Sequence, residues 1–225
     1  MKSIFIHQPE YFPWTHFFEK LFIAEIVVIL DSVQYSRRSY QNRNLIYSKN
    51  GPKWITLPVH KSSRNTKIID IKINNEIDWQ KKHYESIYNS YFKAKFFIEI
   101  NDLFKNIFNR KWDYLCELNI YIIREILKYL KLNNNIYLSS ELNLSSKKSD
   151  LILEICNLFN ANEYITGMGS KNYLDHKNFE DNNIKIIYTE PKNHMYNQGV
   201  ESNFMPNLSI LDYLYNNGST TEFLK

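Results

Sequence analysis

Two polar segments, each placed directly after a short apolar run, contain side chains that can do chemistry. The first covers residues 7–14, HQPEYFPW. His7 follows the apolar run at once, so its imidazole can transfer a proton or contact a phosphate group. We group Gln8, Tyr11 and Trp14 with it as substrate-binding candidates. The alternative is a structural histidine in a turn stiffened by two prolines.

The second segment covers residues 31–44, DSVQYSRRSYQNRN, and follows another aliphatic run. Asp31 can orient a ribose hydroxyl, an amine or a metal, and the alternative for it is a turn or helix cap. Arginine forks suit phosphate or carboxylate, and side-chain amides suit sugars or bases. The substrate- or phosphate-binding candidates here are Gln34, Arg38, Gln41, Asn42 and Arg43.

A third candidate is the segment 78–83, DWQKKH. Lys82 and His83 can reach an anion from a helix. Trp79 and His83 are four residues apart and share a helical face, so simple packing is the alternative.

The fourth candidate is the turn 166–170, TGMGS. Gly167 and Gly169 let a backbone approach a ligand closely, and with Ser170 their N–H groups can form an anion-binding nest. A tight turn without a ligand is the alternative.

These segments follow elements that predict parallel β-sheet structure. Residues 3–7 and 26–31 read as buried strands on either side of a helix over 15–24, which is a βαβ unit. Parallel sheets of this type bind ligands outside the carboxyl ends of their strands. A second such unit is predicted from a strand over 136–138, a helix over 149–159, and strands over 163–166 and 184–188.

The middle of the chain has a different pattern. It predicts strands over 53–59 and 68–73, helical structure over 78–108, a helix over 112–132 and a short helix over 208–215. We therefore expect an α/β fold with a mostly parallel, Rossmann-like or nucleotidyltransferase-like sheet flanked by helices and a helical middle section. The expected organisation is a single domain over 1–225 with a helical sub-lobe at roughly 78–132.

Charge is unevenly distributed along the chain. The 225 residues contain 28 Lys and Arg against 24 Asp and Glu, a net charge of +4. Residues 31–67 hold eight Lys and Arg but one acidic residue, Asp31. A modest overall surplus concentrated beside the candidate residues favours a phosphate-bearing small molecule over a nucleic acid or a membrane.

The sequence disfavours a disulfide-stabilised, a zinc-binding or a membrane-spanning protein. Cys116 and Cys156 lie in apolar helical stretches and are expected to be buried thiols. Cysteine and histidine do not occur at zinc-ligand spacing, so no metal site is predicted. The aliphatic run over 26–30 is far too short to span a bilayer, and we expect a cytoplasmic protein.

The sequence resembles the WbqC-like protein family over nearly its whole length. The resemblance lies in several short segments that follow one another in the same order as in the family. Ser32, where a second Asp is expected, and His16, where Gly is expected, depart from the family pattern. The matching residues are His7-Gln8-Pro9, Tyr11, Pro13-Trp14, Asp31, Val33-Gln34, Tyr40-Gln41-Asn42-Arg43, Gly51, Trp54, Pro58-Val59, Trp79, Lys82-His83, Thr166-Gly167, Gly169-Ser170, Tyr173-Leu174, Pro206, Leu208-Ser209-Ile210 and Asp212.

The resemblance implies bacterial surface-polysaccharide synthesis, notably of O-antigen. It implies an enzyme that acylates the amine of a nucleotide-linked amino sugar, for example by glycyl transfer. Their positions at strand ends, and not the resemblance, make His7 and Asp31 the catalytic candidates. ATP is a candidate cofactor, and a homodimer stays an option.

Two other functions remain open. The first is nucleotidyl transfer to a sugar phosphate, by analogy with enzymes that carry HxGH loops, although Glu10 stands where the second histidine would be. The second is a non-catalytic nucleic-acid-binding protein that uses the basic loop and its tyrosines.

Overall fold

The structure, a computed structural model, describes residues 1–192, 195–199 and 203–224. Its contacts divide the chain into two units. The sheet unit consists of Met1–Gln8, His16–Ser32 and Asn133–Lys192. The helical unit consists of residues 9–15, 33–132 and the described residues after 192. The single domain expected over 1–225 stays a prediction.

The described residues form seven strands and seven α-helices, several with short 3-10 turns between them. The strands are β1 (Ser3–His7), β2 (Ile26–Ile29), β3 (Arg43–Ile46), β4 (Lys53–Thr56), β5 (Asn135–Leu138), β6 (Glu163–Gly167) and β7 (Lys185–Thr189). The helices are α1 (Thr15–Ile23), α2 (Trp79–Tyr91), α3 (Phe97–Asn109), α4 (Leu115–Tyr129), α5 (Lys148–Leu158), α6 (His176–Asp181) and α7 (Ile210–Asn217).

The sheet unit is built on five parallel strands in the order β5-β2-β1-β6-β7. The chain moves from β1 outward through β2 to β5, and then returns to the other side of β1 to form β6 and β7. The predicted α/β fold with a parallel sheet flanked by helices is confirmed. Its strand order is that of a doubly wound, Rossmann-like sheet, whose order reverses between β1 and β6.

Burial explains why β1 and β2 lie at the centre of this sheet. Their sequences, SIFIH and IVVI, are almost wholly apolar, and all but His7 are buried. A strand covered on both faces needs such a continuous apolar run. Phe5 of β1 packs edge-on against Phe17 of α1, with ring centroids 5.3 Å apart.

The helical unit has an aromatic core. Tyr91 of α2 stacks on Tyr215 of α7, with ring centroids 4.7 Å apart, and Phe12 packs edge-on against Phe104 of α3. Such pairs stabilise a core beyond the area that they bury. Strands β3 and β4 form an antiparallel hairpin in this unit.

The strand predicted over 68–73 is wrong. Residues Ile68–Asp70 form a 3-10 turn, and the Ile71 N–H donates to the Ile68 carbonyl. Because a 3-10 turn places residues three apart on one side, it buries Ile68 and Ile71 together. The alternating pattern therefore reflects the presence of buried residues in this segment and does not indicate an extended backbone.

Three further differences concern element boundaries. The helical stretch over 78–108 is two helices, α2 and α3, separated by a turn. The helix expected over 112–132 starts later, at Leu115, because the preceding residues bond to the segment at 71–73. Strand β3 begins at Arg43, inside the segment that the sequence analysis treated as a candidate loop.

Candidate functional site

The carboxyl edge of the sheet in the sheet unit brings polar side chains together. Strand β1 ends at His7 and its neighbour β6 ends at Gly167. The strand order reverses between these two strands. In doubly wound sheets such a reversal is where ligands bind.

His7 is a neutral imidazole at this position. Its Nδ1 lies 2.9 Å from the Gln8 carbonyl oxygen, so the ring donates its proton there. Burial, with smaller contributions from Lys20 and His16, lowers the pKa of His7 to about 4, although the bond to Gln8 opposes this change. In this tautomer Nε2 is the nitrogen that can accept a proton.

Helix α1 supplies three charged or titratable side chains to the same edge. His16, Glu19 and Lys20 are spaced i, i+3 and i+4, so they share one helical face, and all three are buried. We call His7, His16, Glu19, Lys20 and Thr189 the edge cluster. A cluster of buried titratable side chains is a feature of functional sites.

Lys20 places a positive charge at the end of the sheet. Only 4% of the residue is exposed, and its Nζ lies 5.7 Å from the centroid of the Phe5 ring. The same Nζ lies 3.7 Å from the point that a Cβ on Gly167 would occupy. The ammonium group therefore lies against the carboxyl end of β6, where it can meet a ligand's negative charge.

His16 connects α1 to the last strand of the sheet. Its Nδ1 lies 2.7 Å from Glu19 Oε2, so the imidazole N–H donates to the carboxylate. On its other side, Nε2 lies 3.4 Å from Thr189 Oγ1, and that hydroxyl donates to the Thr166 carbonyl at 3.0 Å. The carboxylate thus fixes the orientation of the ring, as acidic partners of functional histidines do.

The roles of His16, Glu19 and Lys20 were not predicted from the sequence. Charged residues at i, i+3 and i+4 on a helix usually mark a solvated face. The signal that could have found them is the opposite face, because Phe17, Phe18 and Leu21 are also apolar and buried. Buried residues on both faces indicate that α1 is covered on more than one side, one of which faces the sheet.

The turn after β6 is held by its own hydroxyl groups. Ser170 Oγ donates to the Gly167 carbonyl at 2.9 Å and lies 3.0 Å from Thr166 Oγ1, which donates to it. A Cβ on Gly169 would meet no atom within 4 Å, so the backbone there is open. Binding of an anion by this turn stays a prediction.

Asp31 lies at the same edge, after β2, and is fully buried. Its Oδ1 accepts from Ser139 Oγ at 2.9 Å and from the Ser140 N–H at 2.8 Å, and its Oδ2 accepts from Ser140 Oγ at 2.6 Å. These bonds make Asp31 the cap of the turn that follows β5. A role toward substrate stays a prediction.

In the helical unit, the structure brings Tyr11 and His83 together. The Tyr11 hydroxyl lies 2.8 Å from His83 Nδ1, and His83 Nε2 lies 3.1 Å from the Thr56 carbonyl. Burial lowers the pKa of His83 to about 4, so the ring is neutral, donates from Nε2 and accepts from Tyr11. Trp79 packs against the ring at 5.6 Å, as the packing alternative supposed.

Side-chain amides hold the backbone of the predicted 31–44 segment. Asn42 Nδ2 donates to the Leu57 carbonyl at 3.0 Å, and Gln41 Oε1 accepts from the Ser36 N–H at 3.0 Å. Asn119, which the sequence analysis did not single out, donates to the Gln41 carbonyl at 2.7 Å. These amides satisfy main-chain groups that would otherwise be buried without partners.

The remaining candidates occupy more exposed positions. The guanidinium of Arg43 lies 4.2 Å from the Trp54 ring centroid and also donates to the Arg38 carbonyl. Arg38 is exposed and has a φ of 58°. The other members are Gln8 and Trp14, which are half-buried, and Gln34 and Lys82, which are exposed.

Two kinds of feature are missing from the part of the chain that the structure describes. Residues 1–192, 195–199 and 203–224 contain no group of three or more His, Cys, Asp or Glu side chains arranged to hold a metal ion. Among those same residues, no helix has both the length and the hydropathy needed to cross a bilayer.

The sheet unit thus defines a doubly wound α/β protein with a buried imidazole and ammonium cluster at its switch point. The model of the WbqC-like protein family matches residues 8–222, so the chain belongs to that family and the predicted resemblance is confirmed. It is 29% identical over 220 residues to the uncharacterized protein Rv1507c of Mycobacterium tuberculosis, covering 97% of this chain and 95% of the relative. No solved structure matches significantly.

Proposed function

We propose that this chain is an enzyme of surface-polysaccharide precursor synthesis that transfers an acyl group to the amine of a nucleotide-linked amino sugar. Membership of the WbqC-like family suggests a role in surface-polysaccharide synthesis. One observation supports the proposed chemistry. The neutral imidazole of His7 lies beside the buried ammonium group of Lys20, at the switch point of the sheet, where the strand order reverses.

In the proposed step, the amine nitrogen attacks the carbonyl carbon of an activated acyl donor, such as a thioester or an acyl phosphate. The N–C bond forms while the carbonyl π electrons move to oxygen. His7 Nε2 takes the proton from the attacking nitrogen. The oxyanion then collapses, re-forms the carbonyl and expels the thiolate or phosphate. A neutral base at the reaction pH is required for this step.

Lys20 has two uses in this scheme. Its ammonium group can stabilise the oxyanion, and charges act more strongly in a site that excludes water. It also adds to the effect of burial, the larger cause, in keeping His7 neutral in the free protein, since a nearby positive charge disfavours the imidazolium. An anionic substrate beside Lys20 would offset that effect and make His7 a stronger base when the site is filled.

The test compares His7→Gln with the control His60→Gln, which changes an exposed histidine. Both variants are assayed by mass spectrometry for amide formation, with UDP- and dTDP-linked amino sugars and thioester or acyl phosphate donors. We expect His7→Gln to lose about 10²- to 10⁴-fold in rate, the usual contribution of a general base, and His60→Gln to retain activity.

Two outcomes would contradict the proposal. Equal rates for His7→Gln and the wild type would remove the base from the scheme. Pyrophosphate release from a nucleoside triphosphate and a sugar phosphate, with no amide product, would instead support nucleotidyl transfer.

A further inference from the structure

A cleft of about 470 Å³ lies within the helical unit, and the proposed chemistry at the sheet does not use it. Its volume is in the range of small-molecule sites. We call it the arginine cleft. It is lined by Gln34, Tyr35, Ser36, Arg37, Ser63 and Arg64.

Backbone bonds hold the two sides of the arginine cleft in place. The Tyr35 N–H donates to the Thr66 carbonyl at 2.9 Å, and Gln34 forms an antiparallel bridge with Lys67. On the second side, Ser63 Oγ lies 2.9 Å from Thr66 Oγ1. The cleft is therefore framed by paired main chain, which positions its side chains before a ligand arrives.

The lining of the arginine cleft is rich in hydrogen-bond donors and contains no carboxylate. Arg37 and Arg64 come from the two chain segments that line the cleft, 34–37 and 63–64. Arg37 Nη2 donates to the Ser62 carbonyl at 2.7 Å, which orients a guanidinium that has further N–H groups. The positive field also reaches Tyr35, since Arg37 and Arg43 oppose the rise in its pKa that burial causes.

We propose that the arginine cleft binds a diphosphate-bearing small molecule, an inference that stands apart from the chemistry proposed at the sheet. Guanidinium forks match phosphate oxygens in charge and in geometry. In this proposal Arg37 and Arg64 bind the phosphate in place of Arg38 and Arg43. The guanidinium of Arg43 already stacks on Trp54. Outside residues 31–67 acidic residues outnumber Lys and Arg, which disfavours a long polyanion.

The experiment measures the binding of inorganic pyrophosphate to the full chain by isothermal titration calorimetry. The double variant Arg37→Gln/Arg64→Gln is compared with Arg124→Gln/Lys128→Gln, which removes the same charge from exposed positions on α4. We expect the cleft variant to bind at least tenfold more weakly and the control to bind like the wild type. Circular dichroism and urea unfolding establish that both variants fold.

Four results would overturn the inference. Three of them are no pyrophosphate binding by the wild type, unchanged binding by the cleft variant, and equal losses in the cleft and control variants. A fourth is a cleft variant that loses binding of a short single-stranded RNA but keeps pyrophosphate, since it would assign the arginines to nucleic acid. Because pyrophosphate binding needs no turnover, it can persist in a wild-type protein that makes no amide, which would refute only the proposed function.

Discussion

Protonation of His7 should destabilise the folded chain as the pH falls. The pKa of His7 is 6.5 in the unfolded chain and about 4 in the folded chain, mainly because burial disfavours the charged ring. Between these values the unfolded state binds the proton and the folded state does not, so stability is lost as the pH decreases from 6.5 toward 4. The full shift corresponds to about 3 kcal/mol, and the part expressed at pH 5 to about 2 kcal/mol.

The measurement is urea unfolding at pH 7.5 and pH 5 for the wild type and for His7→Gln. His83 and the acidic groups titrate in both proteins, so they cancel in the comparison. We expect the wild type to lose about 2 kcal/mol more than the variant between the two pH values. His60→Gln, which changes an exposed histidine, should lose as much as the wild type.

A second measurement tests the cause of the shift. In Lys20→Met the positive charge beside His7 is gone, so the pKa of His7, followed by NMR titration of its ring protons, should rise. Equal losses of stability in the wild type and His7→Gln would refute the reasoning, as would a ring that titrates near pH 6.5 in the folded wild type. Either result would mean that water reaches the imidazole at the switch point.

Two further predictions concern buried carboxyl groups. Asp31→Ala should lower the free energy of unfolding by about 3 kcal/mol, measured in urea, because donors on Ser139 and Ser140 lose their acceptor, while Asp31→Asn should lose less. A fully stable alanine variant would contradict the capping role. Burial raises the pKa of Asp212 from 3.8 to about 6, so the ionisation of this one group costs about 2 kcal/mol of stability as the pH rises from 4 to 8, against the gain that His7 gives. Over this range Asp212→Asn should therefore gain about 2 kcal/mol relative to the wild type, and parallel pH profiles for the two proteins would contradict the assignment.

The parallel sheet was predictable from the sequence. The strand predicted over residues 3–7 has the observed bounds, and that over 26–31 extends two residues beyond β2. A continuous aliphatic run between turn signals has few other solutions, because both faces must be buried. The pattern failed over 68–73, where a 3-10 turn buries Ile68 and Ile71, whereas an alternating strand would bury Ile69 and Ile71 on one face.

The candidate site was only partly accessible from the sequence. His7, Asp31 and Gly167 were found because each lies at the end of a predicted strand or directly after it. The carboxyl ends of parallel strands meet at one edge of the sheet. Lys20 was missed, and so was His16, whose position in the family resemblance led us to expect glycine. Their burial depends on contacts with Phe5, Gly167 and Thr189 of the sheet, which no local pattern indicates.

The sequence alone determined the α/β class, the family and the strand ends that carry polar side chains, since these depend on local apolar runs and on ordered motifs. The tertiary structure decided what each polar group does. Asp31 caps a turn more than 100 residues away in the chain. The Tyr11 hydroxyl is hydrogen-bonded to Nδ1 of His83, so each polar group is the partner of the other. Such roles depend on partners distant in sequence, and a buried polar group is defined by its partner rather than by its neighbours along the chain.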